Sequence, residues 1–148
     1  ISSSAVRALV KTGEVDRAAA LLGRPVEVEG VVVSGHARGG TLGFPTANLQ
    51  VDPELLIPSF GIYAGAALGT RAATSIGVNP HYGGVEQRVE AFLLDYDGDL
   101  YGRRLVVELW RRLRDERSFE SEAELVAQIA RDVEETRAAE RPFYAAKP

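Results

Sequence analysis

The chain has 148 residues, of which 45% are hydrophobic and 26% are charged, and this composition suits a single domain with its own core. It contains no cysteine, which excludes disulfides, thiolate metal sites and a cysteine nucleophile. The formal net charge of −4 argues against nucleic acid as the main partner, and no apolar run approaches the ~20 residues of a membrane span. We therefore expect a cytoplasmic protein with neither a nucleic-acid nor a membrane partner.

Two short helices are predicted at the start of the chain. Ser3 and Ser4 are suited to cap the first helix, which Gly13 ends. The second helix covers residues 14–22 and ends at Gly23, two positions before a proline.

About six antiparallel strands, separated by loops, are predicted for the middle of the chain. Alternation and turn signals indicate strands over residues 26–34, 60–68, 71–78, 87–95 and 104–113. Residues 51–59 contain two prolines and are predicted to be a loop, and residues 79–84 a second, flexible loop. The strands over residues 60–68 and 71–78 contain many small residues, which predicts that a neighbouring element packs closely against them.

One long helix is predicted at the end of the chain. The capping box of Ser121 and Glu124 opens it, and Val126, Ile129 and Val133 form its inward stripe. Because strands and helices do not alternate, a Rossmann-type sheet is excluded, and short strands of this kind close most simply into a small barrel. The pattern alone does not separate a barrel from a sandwich.

The loop GHARGGTLGFPTANL, residues 35–49, is the most unusual stretch, with four glycines in its first nine residues. Glycines that expose backbone N–H groups, one arginine, and then a hydroxyl and an amide suit a polyphosphate and its metal ion. A P-loop is excluded because no lysine precedes Thr41 and because Phe44-Pro45 blocks the helix that must follow. The alternative is a mobile hairpin loop without a ligand.

Part of this loop, LGFPTANL at residues 42–49, resembles the signature of the riboflavin kinase family. Further blocks resemble the family in the same order, and together the resemblance covers about residues 23–140. These blocks are GIYA at 61–64, SIGVNP at 75–80, VEAFLLD at 89–95, DLYG at 99–102, LRDE at 113–116 with Phe119, and QIARD at 128–132. The resemblance implies a mainly β fold: a six-stranded antiparallel Greek-key barrel with short N-terminal helices and one long C-terminal helix packed outside.

The first residues, ISSSAVR, resemble the I-S-S-T-x-I-R motif that ends the nucleotidyltransferase domain of bacterial bifunctional FAD synthetases, with Ser4 in place of threonine. We therefore expect residues 1–22 to be a helical linker left from such a domain, and residues 23–148 to be the riboflavin kinase domain. An N-terminal FMN adenylyltransferase domain is then the expected partner in the full-length protein. FMN adenylylation is not expected here, because the sequence contains no His-x-Gly-His. Self-association is left open.

The activity that the resemblance implies is ATP-dependent, Mg²⁺-assisted phosphorylation of the ribityl 5′-hydroxyl of riboflavin, which gives FMN and ADP. Thr46 and Asn48 match the family's magnesium and phosphate ligands, although such residues also cap turns. Glu90 matches the catalytic carboxylate, and it either removes the hydroxyl proton or orients the hydroxyl. We expect Glu90 to face the Thr46–Asn48 pair across a barrel mouth.

The remaining site residues are also implied by the resemblance. A flap around the ATP phosphates is formed by Gly35, Arg38, Gly39 and Gly40. Residues 79–82 form an opposing flap, and the flavin contacts are Phe44, Tyr82, Arg114 and Glu116. Core packing is the alternative for Phe44, and a surface ion pair is the alternative for Arg114. Two other functions stay open: a non-catalytic flavin- or nucleotide-binding module, and a structural β-barrel.

Overall fold

The computed structural model describes residues 3–34, 46–81 and 83–142. Its first two helices are α1 (Ser3–Lys11) and α2 (Val15–Leu22), as the sequence predicts. The amide of Gly23 ends α2 by donating to the Ala19 carbonyl over 2.8 Å, with a positive φ of 75° that glycine adopts without strain. The apolar sides of both helices are buried in the same cluster as the barrel interior, so they extend the main core.

Six strands of the described chain form a closed antiparallel barrel in the order β1-β2-β5-β4-β3-β6. They are β1 (Val26–Ser34), β2 (Thr46–Val51), β3 (Gly61–Ala67), β4 (Thr70–His81), β5 (Gly84–Leu93) and β6 (Arg104–Arg114). β2 pairs with β5 and β3 pairs with β6, although these strands are not consecutive in the chain. The mainly β, six-stranded Greek-key barrel is thus confirmed.

Alternating side chains fill the barrel interior. The fully buried ones are aliphatic apart from Tyr63 and Thr74, and the aliphatic ones include Val28, Ile76, Val89, Leu93, Leu105, Val107 and Leu109. The predicted close packing around the small residues is confirmed at Gly65, where an added Cβ would lie 1.7 Å from the Glu108 carbonyl oxygen. Burial of each large aliphatic side chain contributes about 1.5–3 kcal/mol, so the interior carries most of the stability of the barrel.

Two loop predictions are wrong. The last part of the predicted loop at residues 35–49, from Thr46 onward, is strand β2, because Ala47 and Leu49 are buried in the core while the backbone pairs with β1 and β5. The predicted flexible loop at residues 79–84 belongs mostly to strands, since β4 continues to His81 and β5 begins at Gly84. Pro80 lies opposite Val85, one pair before the last pair of the β4–β5 hairpin.

The last helix, α3 (Glu122–Ala138), packs outside the barrel against β3 and β4. The hydroxyl of Ser121 accepts a hydrogen bond from the amide of Glu124 over 3.2 Å, which confirms the predicted cap. The predicted inward stripe is wrong at one position: Val126 is 38% exposed, and Leu125 turns inward with Ile129 and Val133 instead. No helix of the described residues is long and apolar enough to span a membrane.

Charged residues attach the C-terminal end of α3 to the barrel. The guanidinium of Arg71 lies 4.8 Å above the Trp110 ring and donates to the backbone carbonyls of Thr136, over 3.0 Å, and of Ala139. Two more ion pairs hold this end, Arg137 with Asp95 and Arg141 with Glu108. The helix therefore has a fixed position over the outer face of the sheet.

Candidate functional site

Glu90 lies on the outer face of β5, between the inward-facing Val89 and Ala91. The residue is only 7% exposed, yet its carboxylate has no hydrogen bond or ion pair within the described part of the chain. A buried carboxylate without a partner is costly, so packing alone does not explain this residue. Its environment suits a group that acts on a bound molecule.

The predicted oxygen ligands lie on β2, directly beside β5. The Cα atoms of Asn48 and Glu90 are cross-strand partners, and those of Thr46 and Phe92 form the next pair on the same face. Side chains in such pairs lie about 5 Å apart at Cβ. The predicted arrangement across a barrel mouth is therefore wrong, because these groups are neighbours on the outer surface of adjacent strands.

The β2 residues fit a magnesium ion that is shared with phosphates. The Oγ1 atom of Thr46 is buried and has no hydrogen-bond partner in the part of the chain that the structure describes, so it is an orphaned oxygen beside Asn48. Both side chains offer uncharged hard oxygens, as Mg²⁺ prefers. Among residues 3–34, 46–81 and 83–142, no cluster of three or more acidic, histidine or cysteine side chains is placed to hold a metal. An ion here would take its remaining ligands from phosphate and water.

On the opposite side of Glu90, a cavity of about 530 Å³ lies between the outer face of the sheet and α3. We refer to it as the α3 cavity. Its apolar part is lined by Ile62, Phe92, Phe119, Leu125, Ile129 and Val133. Its polar part is lined by Ser75, Asn79, Arg88, Glu90 and Glu116. Glu90 thus lies between two regions. The α3 cavity is on the β4 side of Glu90, and the side-chain oxygens of Thr46 and Asn48 are on the β2 side.

Arg114 lines the α3 cavity and is fixed by a buried partner. Its Nε and Nη2 donate to the two carboxylate oxygens of Asp132 over 2.8 and 2.7 Å. The amide of Gln128 also donates to Asp132, which is only 5% exposed. The surface-ion-pair alternative is therefore wrong for Arg114. Buried Gln128 and Asp132 also explain why α3 turns Val126 outward.

Glu116 lies across the cavity and is paired with Arg88, a residue that the sequence reasoning missed. The Ser75 hydroxyl donates to the Glu116 carboxylate over 2.9 Å, and Arg88 forms an ion pair with the same carboxylate. Arg88 matches no motif, and the available signal was its spacing, since residues 88, 90 and 92 share one face of a strand.

Six predicted site residues cannot be placed in this arrangement. Gly35, Arg38, Gly39, Gly40, Phe44 and Tyr82 lie outside the described residues. Their roles stay predictions. The structure does bring together Thr46, Asn48 and Glu90, and it places Arg114 and Glu116 in one cavity with Glu90.

A family model described as Flavokinase, riboflavin kinase, matches residues 22–140. The bifunctional riboflavin kinase/FMN adenylyltransferase of Escherichia coli K12 is 42% identical over 137 residues, which are 89% of this chain and 44% of the relative. The protein of the same description from Bacillus subtilis 168 is 35% identical over 144 residues, covering 91% of this chain and 45% of that protein. The chain thus spans less than half the length of these relatives.

A solved structure from Streptococcus pneumoniae, described as a macrolide-efflux protein, has the same fold as this chain. The two superpose with a TM-score of 0.87 at 38% sequence identity. The match covers 95% of this chain and 47% of the other.

Proposed function

The chain belongs to the riboflavin kinase family, and from this premise we propose that it transfers the γ-phosphoryl group of ATP to the ribityl 5′-hydroxyl of riboflavin. The products are FMN and ADP. The observation that carries the proposal is the position of Glu90, a buried carboxylate with no partner among the described residues, between the Thr46–Asn48 pair and the α3 cavity.

The α3 cavity suits riboflavin in size and polarity. Its volume of about 530 Å³ lies within the usual range for small-molecule sites, and its apolar part is bounded by two aromatic rings. We place the flat isoalloxazine ring between Phe92, Phe119 and the inner side of α3. The ribityl chain then runs along the polar part toward Glu90, with Arg114 and Glu116 as the flanking polar groups.

The nucleotide belongs on the β2 side of Glu90. Thr46 and Asn48 would hold the magnesium ion together with the ATP phosphates, which accounts for the orphaned hydroxyl of Thr46. When bound, Mg²⁺ neutralises charge that develops on the transferred phosphoryl group. Gly35, Arg38, Gly39 and Gly40, which precede β2 in the sequence, are proposed to enclose the phosphates, and Phe44 and Tyr82 to contact the rings.

The chemistry assigned to Glu90 follows from its surroundings. The ribityl 5′-hydroxyl donates a hydrogen bond to the Glu90 carboxylate, which fixes the oxygen in line with the γ-phosphorus. The new bond joins that oxygen to phosphorus, the bond from phosphorus to the β–γ bridging oxygen breaks, and ADP leaves. The hydroxyl proton passes to Glu90 during or after transfer, because such transition states are loose.

The alternative functions are weaker. A binding module without catalysis does not require a buried carboxylate that lacks a partner among the described residues, and a structural barrel does not require the α3 cavity. We propose that FMN adenylylation belongs to a preceding domain of the full-length protein, as the relatives' description implies. Riboflavin, ATP and Mg²⁺ are thus the proposed ligands of this chain. Its proposed location is the cytoplasm, where ATP is supplied.

The direct test is an HPLC assay of the isolated chain with riboflavin, ATP and Mg²⁺. We expect FMN and ADP in equal amounts, no FAD, and loss of product when EDTA removes the metal. Equilibrium dialysis with riboflavin and ADP serves as the control. Binding of both without any FMN would favour the non-catalytic module, and FAD formation would contradict the proposed division of labour.

A further inference from the structure

The guanidinium of Arg88 makes polar contacts with three other side chains. Its Nη1 donates to the Asn79 side-chain oxygen over 3.0 Å, and its Nη2 donates to the Ser75 hydroxyl over 3.1 Å. The same guanidinium is paired with the carboxylate of Glu116, and its side chain is only 21% exposed. Arg88 thus joins β4 and β5 to the segment that follows β6.

The ion pair lies directly over Gly77, where a side chain would displace the ends of both partners. A Cβ added at Gly77 would lie 2.3 Å from Oε2 of Glu116 and 2.4 Å from Nη2 of Arg88. Gly77 is the cross-strand partner of Arg88, so the glycine and the arginine form one built feature of the β4–β5 pair. The position of the Arg88–Glu116 ion pair therefore reflects both the arginine at position 88 and the glycine opposite it on β4.

The segment from Glu116 to Phe119 forms a wall of the α3 cavity and has few other attachments. Within the described chain, the hydrogen bonds that join positions 116–119 to the barrel all end on the carboxylate of Glu116. The ring of Phe119 contacts the guanidinium of Arg117, 4.8 Å away, which is a contact inside the segment. Fixing Glu116 therefore fixes the wall against which the proposed flavin ring lies.

We propose that Arg88 is a positioning residue for the flavin: it holds Glu116, and through Glu116 the cavity wall formed by residues 116–119. The inference rests on the proposed function, since it names riboflavin as the occupant. Arg88 faces the polar end of the cavity, on the face of β5 that also carries Glu90 and Phe92. It acts on the flavin side alone, because the Thr46–Asn48 pair lies on the other side of Glu90.

The test compares Arg88→Gln and Glu116→Gln with wild type in steady-state kinetics with both substrates. Each single variant should raise KM for riboflavin about tenfold, because one partner of a half-buried charged hydrogen bond is lost. KM for ATP should stay within about twofold. A double variant should cost less than the two single effects multiplied, since both remove the same contact.

The matched control is Arg104→Gln, which removes a cross-strand arginine–carboxylate pair of 3.0 Å with Glu29 on the exposed face of β6 and β1. Its KM values should equal those of wild type. If circular dichroism shows that Arg88→Gln does not fold, Glu116→Gln and Arg88→Lys are judged by the same KM criterion, with a smaller effect expected for lysine.

An unchanged riboflavin KM in Arg88→Gln, or an equal rise in both KM values, would overturn the positioning role. A wild-type chain that makes no FMN would contradict the proposed function instead, and the two failures are therefore distinguishable. A selective rise in riboflavin KM, absent from Arg104→Gln, supports the inference.

Discussion

The two faces of β5 have opposite compositions. The inward side chains of Val89, Ala91 and Leu93 are hydrocarbon and at most 1% exposed. The outward ones alternate with them and include a paired arginine, Glu90, which has no partner in the described ranges, and an aromatic ring in the cavity wall. Because the side chains of a strand alternate between its two faces, β5 contributes both to the core and to the proposed site, and neither set of residues displaces the other. Substitutions on the two faces should therefore separate stability from activity.

The largest expected effect is on the outer face, in Glu90→Gln. We expect kcat for FMN formation to fall by about 10²–10⁴-fold, because the hydroxyl loses its proton acceptor and orienting charge. Stability should stay unchanged or rise, since the substitution removes a buried charge that no described residue neutralises. The HPLC assay and urea denaturation measure the two quantities. Full activity in the variant would remove Glu90 from the mechanism.

The corresponding change on the inner face is Leu93→Ala. We expect a loss of about 2–5 kcal/mol in the free energy of unfolding, because the side chain is fully buried and leaves a cavity. The folded fraction should keep a normal kcat and normal KM values at low temperature. Urea denaturation followed by assay under native conditions tests both statements. A specific loss of kcat in folded protein would show that the two faces are not independent.

A smaller effect is expected on the β2 side, in Thr46→Val. The substitution keeps the shape of the side chain and removes the orphaned hydroxyl, so stability should rise by about 1 kcal/mol. We expect a fall of about tenfold in kcat and a higher Mg²⁺ concentration for half-maximal rate. Magnesium titration of the initial rate is the measurement. An unchanged magnesium requirement would exclude Thr46 as a ligand.

The smallest expected effect concerns Glu108 on β6. This outward-facing charge contributes to stability and not to activity, so it limits the rule that outward side chains serve function. The hydrogen bond from Arg141 lowers the pKa of Glu108 below its ordinary value of 4.5, and Trp110 donates to the same carboxylate. That stabilisation is present above the unfolded-state pKa and disappears as the pH falls through the lower folded-state pKa. Glu108→Gln should therefore cost about 0.5–1 kcal/mol at pH 7, with normal kinetics.

The control for this prediction is the pH dependence itself. The difference in unfolding free energy between wild type and Glu108→Gln should shrink toward zero as the pH falls below 4.5. A constant difference from pH 7 to pH 3 would show that the carboxylate charge is not the cause.

Most of the fold could be predicted from the sequence because its signals are local. The bounds of β1 match the alternation of valine and glutamate, and the alternation of β6 and the capping box of α3 place these two elements within a residue or two. The strand that begins at Thr46 could not be predicted, because its alternation covers only six residues and follows a proline. Its strand conformation depends on pairing with β1 and β5, which are distant in sequence.

The site was predictable only where a motif exists. Thr46, Asn48 and Glu90 were found by resemblance, but their adjacency on neighbouring strands needed the register of β2 with β5. The partners of Arg114 and Glu116 were not predictable, because both pairs join residues that are distant in sequence. Asp132 is 18 positions from Arg114, and the ion pair of Arg88 with Glu116 joins β5 to the segment after β6. The same long-range pairing buries Asp132 and turns Val126 to the surface, against its hydrophobicity.

The central claim is that Glu90 separates a flavin site under α3 from a nucleotide site beside β2. The most direct measurement is a crystal structure of the chain with riboflavin and Mg·ADP. The account predicts the isoalloxazine ring in the α3 cavity, the ribityl 5′-hydroxyl within hydrogen-bond distance of Glu90, and the diphosphate near Thr46 and Asn48. Riboflavin outside that cavity, or a nucleotide within it, would contradict the account.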